Sequence, residues 1–180
     1  MTLVSVAVCV RNGVDWIDGC MESLLNQTHS PLEIILVDDG SKDGGKEKAI
    51  KWGEHDLVTC ITQDPVGLSA GRMAALDVAK GEWFAITDID VRPESDWIQR
   101  MLESSDSRQG EDVVAVTGRT VFGRSDDVIS TIRSIEIESK YRSRPRRTNL
   151  ANGPCSMFNR ERLISVGGFD PSWYHAEDME

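Results

Sequence analysis

Short apolar segments alternate with helical ones along the first hundred residues, and this restricts the chain more than any single motif. Leu3 to Val10 is a valine-rich run of the kind buried on both faces of a parallel sheet. Ile17, Met21, Leu24 and Leu25 follow at helical spacing, with Asp15 placed to cap that helix and "NQTHSP" to break it. A strand at Glu33 to Val37, a short helix at Lys46 to Trp52 and a strand at Leu57 to Ile61 continue the pattern. Ser69 is placed to cap a helix through "AGRMAALDVAK" that stops at Gly81, ahead of a fourth strand at Trp83 to Thr87. Alternation of this kind predicts an α/β fold, a Rossmann-like, mostly parallel sheet with helices on both faces. Such sheets gather their ligands at the carboxyl ends of the strands.

The later residues change character. A helix is predicted over Asp96 to Ser104 and a fifth strand over Val113 to Val121. Asp126 to Lys140 reads as an amphipathic helix with Ile129, Ile132 and Ile135 on its apolar face. The basic stretch "YRSRPRRTN" follows, then a short strand at Cys155 to Asn159 and a helix closed by Gly167 and Gly168. At 180 residues the chain is long enough for one domain with a sizeable core and no covalent staples. Its four cysteines, Cys9, Cys20, Cys60 and Cys155, have neither CxxC nor metal-site spacing, so they read as reduced thiols. The net charge of −10 speaks against a general nucleic-acid binder, whose footprint is basic. No apolar run approaches the ~20 residues of a membrane span, and no secretory pattern opens the chain. A cytoplasmic location follows, with the inner face of a membrane as a variant of it.

The chemistry-bearing residues fall where the predicted strands end. Asp38 and Asp39 close the second strand, and "FAITDID" carries the fourth into Asp88 and Asp90. Alternate residues of a strand point the same way, so Asp88 and Asp90 can share one ligand. Two such carboxylates suit Mg2+ or Mn2+, which bind through a few carboxylates and substrate phosphates. Taken singly, DxD is also an ordinary solvated strand end, and "VDDGS" an ordinary turn. "GLSAGRMAAL" places Arg72 one turn into a helix whose amino terminus attracts phosphate; an exposed helix arginine is the plainer alternative. Arg142, Arg144, Arg146 and Arg147 form a basic cluster that can be a solvated loop or meet phosphate or anionic lipid headgroups, compatible with peripheral membrane association.

In combination and order these segments carry more. "VSVAVCVRNG", "SLLNQTHSPLEIILVDDGSKDG", "VGLSAGRMAALDVAKGEWFAITDID", "MFNRERLISVGGFD" and "AED" resemble the inverting glycosyltransferase family 2, with its GT-A fold, over essentially the whole chain. The resemblance implies one domain over residues 1–180, a nucleotide-binding half over about 1–100 and an acceptor-side half over about 101–180. It implies a nucleotide-diphosphate sugar donor, with UDP preferred over GDP, a divalent cation (Mn2+ or Mg2+), and a sugar, polysaccharide or lipid-linked acceptor. Position by position, Val8, Val10 and Arg11 would flank the base, Asp38 and Asp39 would contact base and ribose, and Arg72 would lie near the nucleotide. Asp88 and Asp90 would hold the metal on the diphosphate. Asp178 would be the catalytic base with Glu177 beside it, and Gly153 would adjoin the acceptor pocket; a lone loop histidine, His175, is more often neither ligand nor contact. Where the family often has Pro-Thr-Tyr-Asn after the first strand, this chain has Cys9, Val10, Arg11 and Asn12, which removes an aromatic from the base site. Family elements beyond the acidic pair are missing, so Asp178 is expected to be weakly held and transfer by this chain weak or absent.

Two other classes compete. A response-regulator receiver also carries acids after an early strand and a phospho-accepting aspartate further on, but here an additional strand and helix precede the first acid pair, and no Lys-Pro follows. A haloacid dehalogenase phosphatase places its DxD after the first strand, not the fourth. A nucleotide-sugar-binding module without transfer activity shares every feature named.

Overall fold

The structure, a computed structural model, describes residues 1–106, 112–123, 127–143, 147, 148, 151 and 153–173. Four repeats of strand and helix come first: β1 (Val4–Val10), α1 (Val14–Leu25), β2 (Leu32–Asp39), α2 (Gly45–Trp52), β3 (Val58–Gln63), α3 (Leu68–Val78), β4 (Trp83–Asp88) and α4 (Trp97–Asp106). β5 (Ala115–Thr117), α5 (Val128–Ser143), β6 (Ser156–Asn159) and α6 (Arg160–Ser165) follow. The strands form one sheet in the order β3-β2-β1-β4-β6-β5. β1 pairs in parallel with both β2 and β4, and β2 with β3, whereas β6 runs antiparallel to β4 and to β5.

Period-two alternation divides the core between the two faces of this sheet. Val4, Val6, Val8 and Val10 pack with Ile34 and Leu36 of β2 against Ile17, Met21 and Leu24 of α1 and Ile98 and Met101 of α4. Ala7, Ile35, Val37, Phe84 and Ile86 face the other way, onto Ala75 and Leu76 of α3 and Phe169. Burial on both sides is why these strands read as unbroken apolar runs.

Several local expectations are corrected. Asp15 does not cap α1; the N-cap is Gly13, and the Val14 N–H donates instead to Asp43 Oδ2 at 2.9 Å. A carboxylate from the neighbouring turn satisfies one of the helix's orphan donors. Ser69 does not cap α3 either. That helix begins one residue earlier, after Gly67 at φ 103°, a conformation open to glycine but strained for other residues. The buried Ser69 hydroxyl donates to the Asp170 carbonyl at 2.6 Å. The expected strand over Val113 to Val121 is ordered as β only at Ala115–Thr117. In α5 the isoleucine stripe faces outward: Ile129, Ile132 and Ile135 are 76%, 61% and 63% exposed.

Candidate nucleotide-sugar site

β1 is flanked by β2 and β4, and the register sets all three carboxyl ends at one level: Val10 lies opposite Asp38, and Cys9 opposite Asp88. With neighbouring strands about 4.8 Å apart, the ends of β2 and β4 are about 10 Å apart across β1. Asp38, Asp39 and Asp88 are therefore on one edge of the sheet, with Asp90 in the turn that follows it. They do not share one face. Alternation puts Asp38 on the side of α1 and α2, and Asp39 and Asp88 on the side of α3.

Each acid has a different environment. Asp39 is 4% exposed and its carboxylate is taken up by the chain: Oδ1 accepts from Gln63 Nε2 and the Val66 N–H, at 2.8 and 2.9 Å, and Oδ2 from the Gly67 N–H at 3.0 Å. It shapes the loop that launches α3. Asp38 has no exposed surface. Its Oδ2 accepts from the Ser41 N–H at 3.3 Å, while Oδ1 has no hydrogen-bond partner among the described residues. Leaving such an acceptor unmet costs about 1–3 kcal/mol.

Arg72 is not an exposed helix arginine. Its side chain is 3% exposed and its Nη2 lies 3.2 Å from Oδ1 of Asp88, whose side chain is 39% exposed. A buried guanidinium needs such a partner, so the pair ties the first turns of α3 to the end of β4. Val8 and Val10 point into the core under α1, leaving Arg11 as the exposed side chain at the end of β1.

The turn carrying the second acid is closed by the Val91 N–H, which donates to the Asp88 carbonyl at 3.0 Å. Asp88 and Asp90 occupy its first and third positions. Below it sits Cys20, whose thiol lies 3.8 Å from the same carbonyl. Burial pushes the Cys20 thiol up to about 12, with Asp88 and Asp90 adding to that and the Arg92 charge opposing it. It remains a neutral thiol.

The loops after β1 and β2 are clasped together. Asn12 Oδ1 accepts from the Lys42 N–H at 2.8 Å, and the Asn12 N–H donates to Ser41 Oγ at 3.0 Å. Asp43 accepts from Val14 and Gly45, both at 2.9 Å, and these N–H groups, Val14 foremost, hold its carboxyl below the ordinary 3.8.

Asp88 and Asp90 are carboxylates of one turn, the donor type that Mg2+ and Mn2+ accept. They are hard oxygen donors on one turn, and the described residues contain no cluster of three or more His, Cys, Asp or Glu that could hold a metal. Two carboxylates are the share expected of a protein whose cation is completed by phosphate and water. Glu177, Asp178, His175, Arg144 and Arg146 lie outside the described residues. Arg142 is paired with Glu138 at 3.7 Å along α5, and Arg147 is exposed. Gly153 is buried just ahead of β6. Sequence reading passed over Gln63, Ser69 as a tether and Arg92, because their roles depend on which carbonyl or carboxylate the fold brings near.

The family model for glycosyl transferase family 2 matches residues 5–167. Among curated relatives, the uncharacterized glycosyltransferase EpsJ of Bacillus subtilis is 36% identical over 108 residues, which are 59% of this chain and 31% of that protein. Among solved structures, a mannosyltransferase from Pyrobaculum calidifontis in complex with GDP-Man and Mn2+ superposes with a TM-score of 0.71 at 27% identity, over 97% of this chain and 49% of that one. S. aureus TarS in complex with UDP-GlcNAc gives a TM-score of 0.69 at 20% identity, over 99% of this chain and 51% of that one. The chain thus spans about a third to a half of the length of these proteins. No helix among the described residues is long and apolar enough to cross a membrane.

Proposed function

The chain belongs to glycosyltransferase family 2, and from that premise we propose that it moves a sugar from a nucleotide-diphosphate donor to an acceptor hydroxyl with inversion. The observation that carries this reading is the edge itself: Asp38 at the carboxyl end of β2, the Arg72–Asp88 pair at that of β4 and Asp90 in the turn after it, on either side of β1. Asp38 would receive the base. Its Oδ1, which has no partner among the described residues, can accept from the imide N–H of uracil. We take a UDP-sugar as the donor. Asp38 has no exposed surface, so reaching that oxygen requires the chain around it to open. Asp39, with its three N–H donors, would act by holding the loop into α3, not by contacting ribose.

Asp88 and Asp90 would hold Mn2+ or Mg2+, which when bound neutralises charge on the departing diphosphate. In the transfer, the acceptor oxygen forms a bond to the anomeric carbon as the bond from that carbon to the diphosphate breaks. The hydroxyl proton passes to a carboxylate, which we assign to Asp178 with Glu177 beside it. Arg72, paired with Asp88, would fix that carboxylate's orientation towards the diphosphate. The acceptor would be a sugar, a polysaccharide or a lipid-linked saccharide. We take residues 1–180 as one GT-A domain.

Calorimetry with UDP- and GDP-sugars, with and without Mn2+, tests the reading. Mn2+-dependent binding with UDP ahead of GDP is the expected result. Binding of neither sugar nucleotide in either condition would overturn it. Binding without transfer, in this chain and in one extended past Glu180, would favour a nucleotide-sugar-binding module instead.

A further inference from the structure

We propose that Arg92 is a positioning residue for the turn that holds the cation; the inference rests on the metal-holding role of Asp88 and Asp90 proposed above. Arg92 is exposed, yet three of its five guanidinium N–H donors are taken by main-chain oxygens. Nη1 donates to the Ile89 carbonyl at 3.1 Å and to the Val91 carbonyl at 2.8 Å, and Nη2 donates to the Trp16 carbonyl at 3.1 Å. Two of these oxygens flank Asp90 on either side, and the third belongs to α1. The same guanidinium lies 5.7 Å from the centre of the Trp16 ring, within cation–π range. A planar fork of donors with no acceptor is suited to gathering several carbonyls at fixed angles; an ammonium is not.

Gly19 supports this. It lies in the middle of α1, where glycine lowers helix stability relative to alanine. A methyl group there would stand 2.5 Å from Arg92 Nε and 2.8 Å from Nη2. The helix gives up propensity at the point where the guanidinium lies against it. Asp90 is exposed, so the orientation of its carboxylate depends on the turn beneath it. Arg92 therefore acts on the cation through the backbone of residues 89–91.

Charge and geometry predict opposite signs, which makes the proposal testable. A positive charge near a cation site opposes metal binding, so by Coulomb's law alone its removal tightens binding. A positioning role predicts the reverse, with a loss of about tenfold, the lower end for partners that orient metal ligands. The experiment titrates Mn2+ into the 180-residue chain with UDP present, following free Mn2+ by electron paramagnetic resonance, beside thermal melts. Arg92→Gln and Arg92→Lys are each expected to weaken Mn2+ binding about tenfold. Gly19→Ala, which keeps the arginine and displaces it, is expected to weaken binding while the melting temperature stays level or rises; a purely structural glycine would not separate the two. Wild-type or tighter Mn2+ binding in Arg92→Gln, or wild-type binding in Arg92→Lys, overturns the proposal. Asp90→Asn distinguishes the underlying reading: unchanged Mn2+ binding in that variant removes the cation site itself. Lost binding there beside unchanged Arg92 variants removes only the role of Arg92.

Discussion

Residues 4–106 and residues 112–173 contribute to one sheet on different terms. In the first region β1, β2 and β4 are buried along nearly their whole length, and α1 buries its apolar stripe: Ile17, Met21 and Leu24 have no exposed surface. In the second, α5 turns three isoleucines outward, and β5 is three residues long. The polar groups differ as well. Asp39 and Asp88 at the edge of the first region are engaged by Gln63, Val66, Gly67 and Arg72, all distant in sequence, whereas α5 is laced by ion pairs along its own surface, Lys140 with Glu136 and Arg142 with Glu138. The first region is thus stabilised by contacts distant in sequence, and α5 by neighbours a turn away.

The largest test of that contrast is Leu36→Ala. Leu36 is fully buried in β2, and the substitution is expected to cost about 3 kcal/mol of unfolding free energy in a denaturant titration. Asp39→Ala comes next, at about 2 kcal/mol, because it strands the donors of Gln63, Val66 and Gly67; Asp39→Asn should recover part of this. A loss confined to local melting in either variant would break the picture of a region held by distant contacts.

A smaller effect concerns acid. Asp43 and Asp18 are both held below 3.8, Asp43 foremost by the Val14 N–H and Asp18 by its bond from Lys48. A carboxyl depressed on folding contributes stability that is complete above its unfolded value and lost as the pH falls through the folded one. The melting temperature should therefore drop below about pH 4. In Asp43→Ala it should be lower at neutral pH, with a shallower acid limb. The smallest effect is Ile132→Ser in α5, expected to fall within about 0.5 kcal/mol of the parent. A cost near that of Leu36→Ala would show that the outward stripe is covered in solution.

Legibility follows the same division. β1, β2 and β4 were readable because burial on both faces imposes continuous apolar runs, and their order placed Asp38, Asp39, Asp88 and Asp90 at one edge. That Asp38 faces away from Asp39 follows from alternation alone, but which of the two keeps an open acceptor depends on the loop over Gln63 to Gly67. Asp15 and Ser69 looked like caps because both are cap-formers by type. The fold gave Val14 a carboxylate from another turn and sent the Ser69 hydroxyl to a carbonyl 101 residues away. The isoleucines of α5 have helical periodicity, and periodicity identifies a stripe without saying what covers it. Arg92 carried no signal because its partners are main-chain oxygens, and those have no letter in a sequence.

The reversed direction of β6 has a consequence for how such a molecule can diversify. Because β6 runs against β4, with Ser156 opposite Ile86 and Asn159 opposite Trp83, the chain enters this strand at the carboxyl edge and leaves it at the other. α6 then brings the chain back, and Asp170 meets Ser69 at the start of α3. Two separate segments, one ending at Cys155 and one reaching Asp170, thereby arrive at the carboxyl edge of the sheet. Neither is needed to pair β1, β2 and β4. Each can lengthen, shorten or exchange its residues while the three central strands keep their register. One half of the edge can stay fixed while the other changes, a division of labour produced by turning a single four-residue strand around.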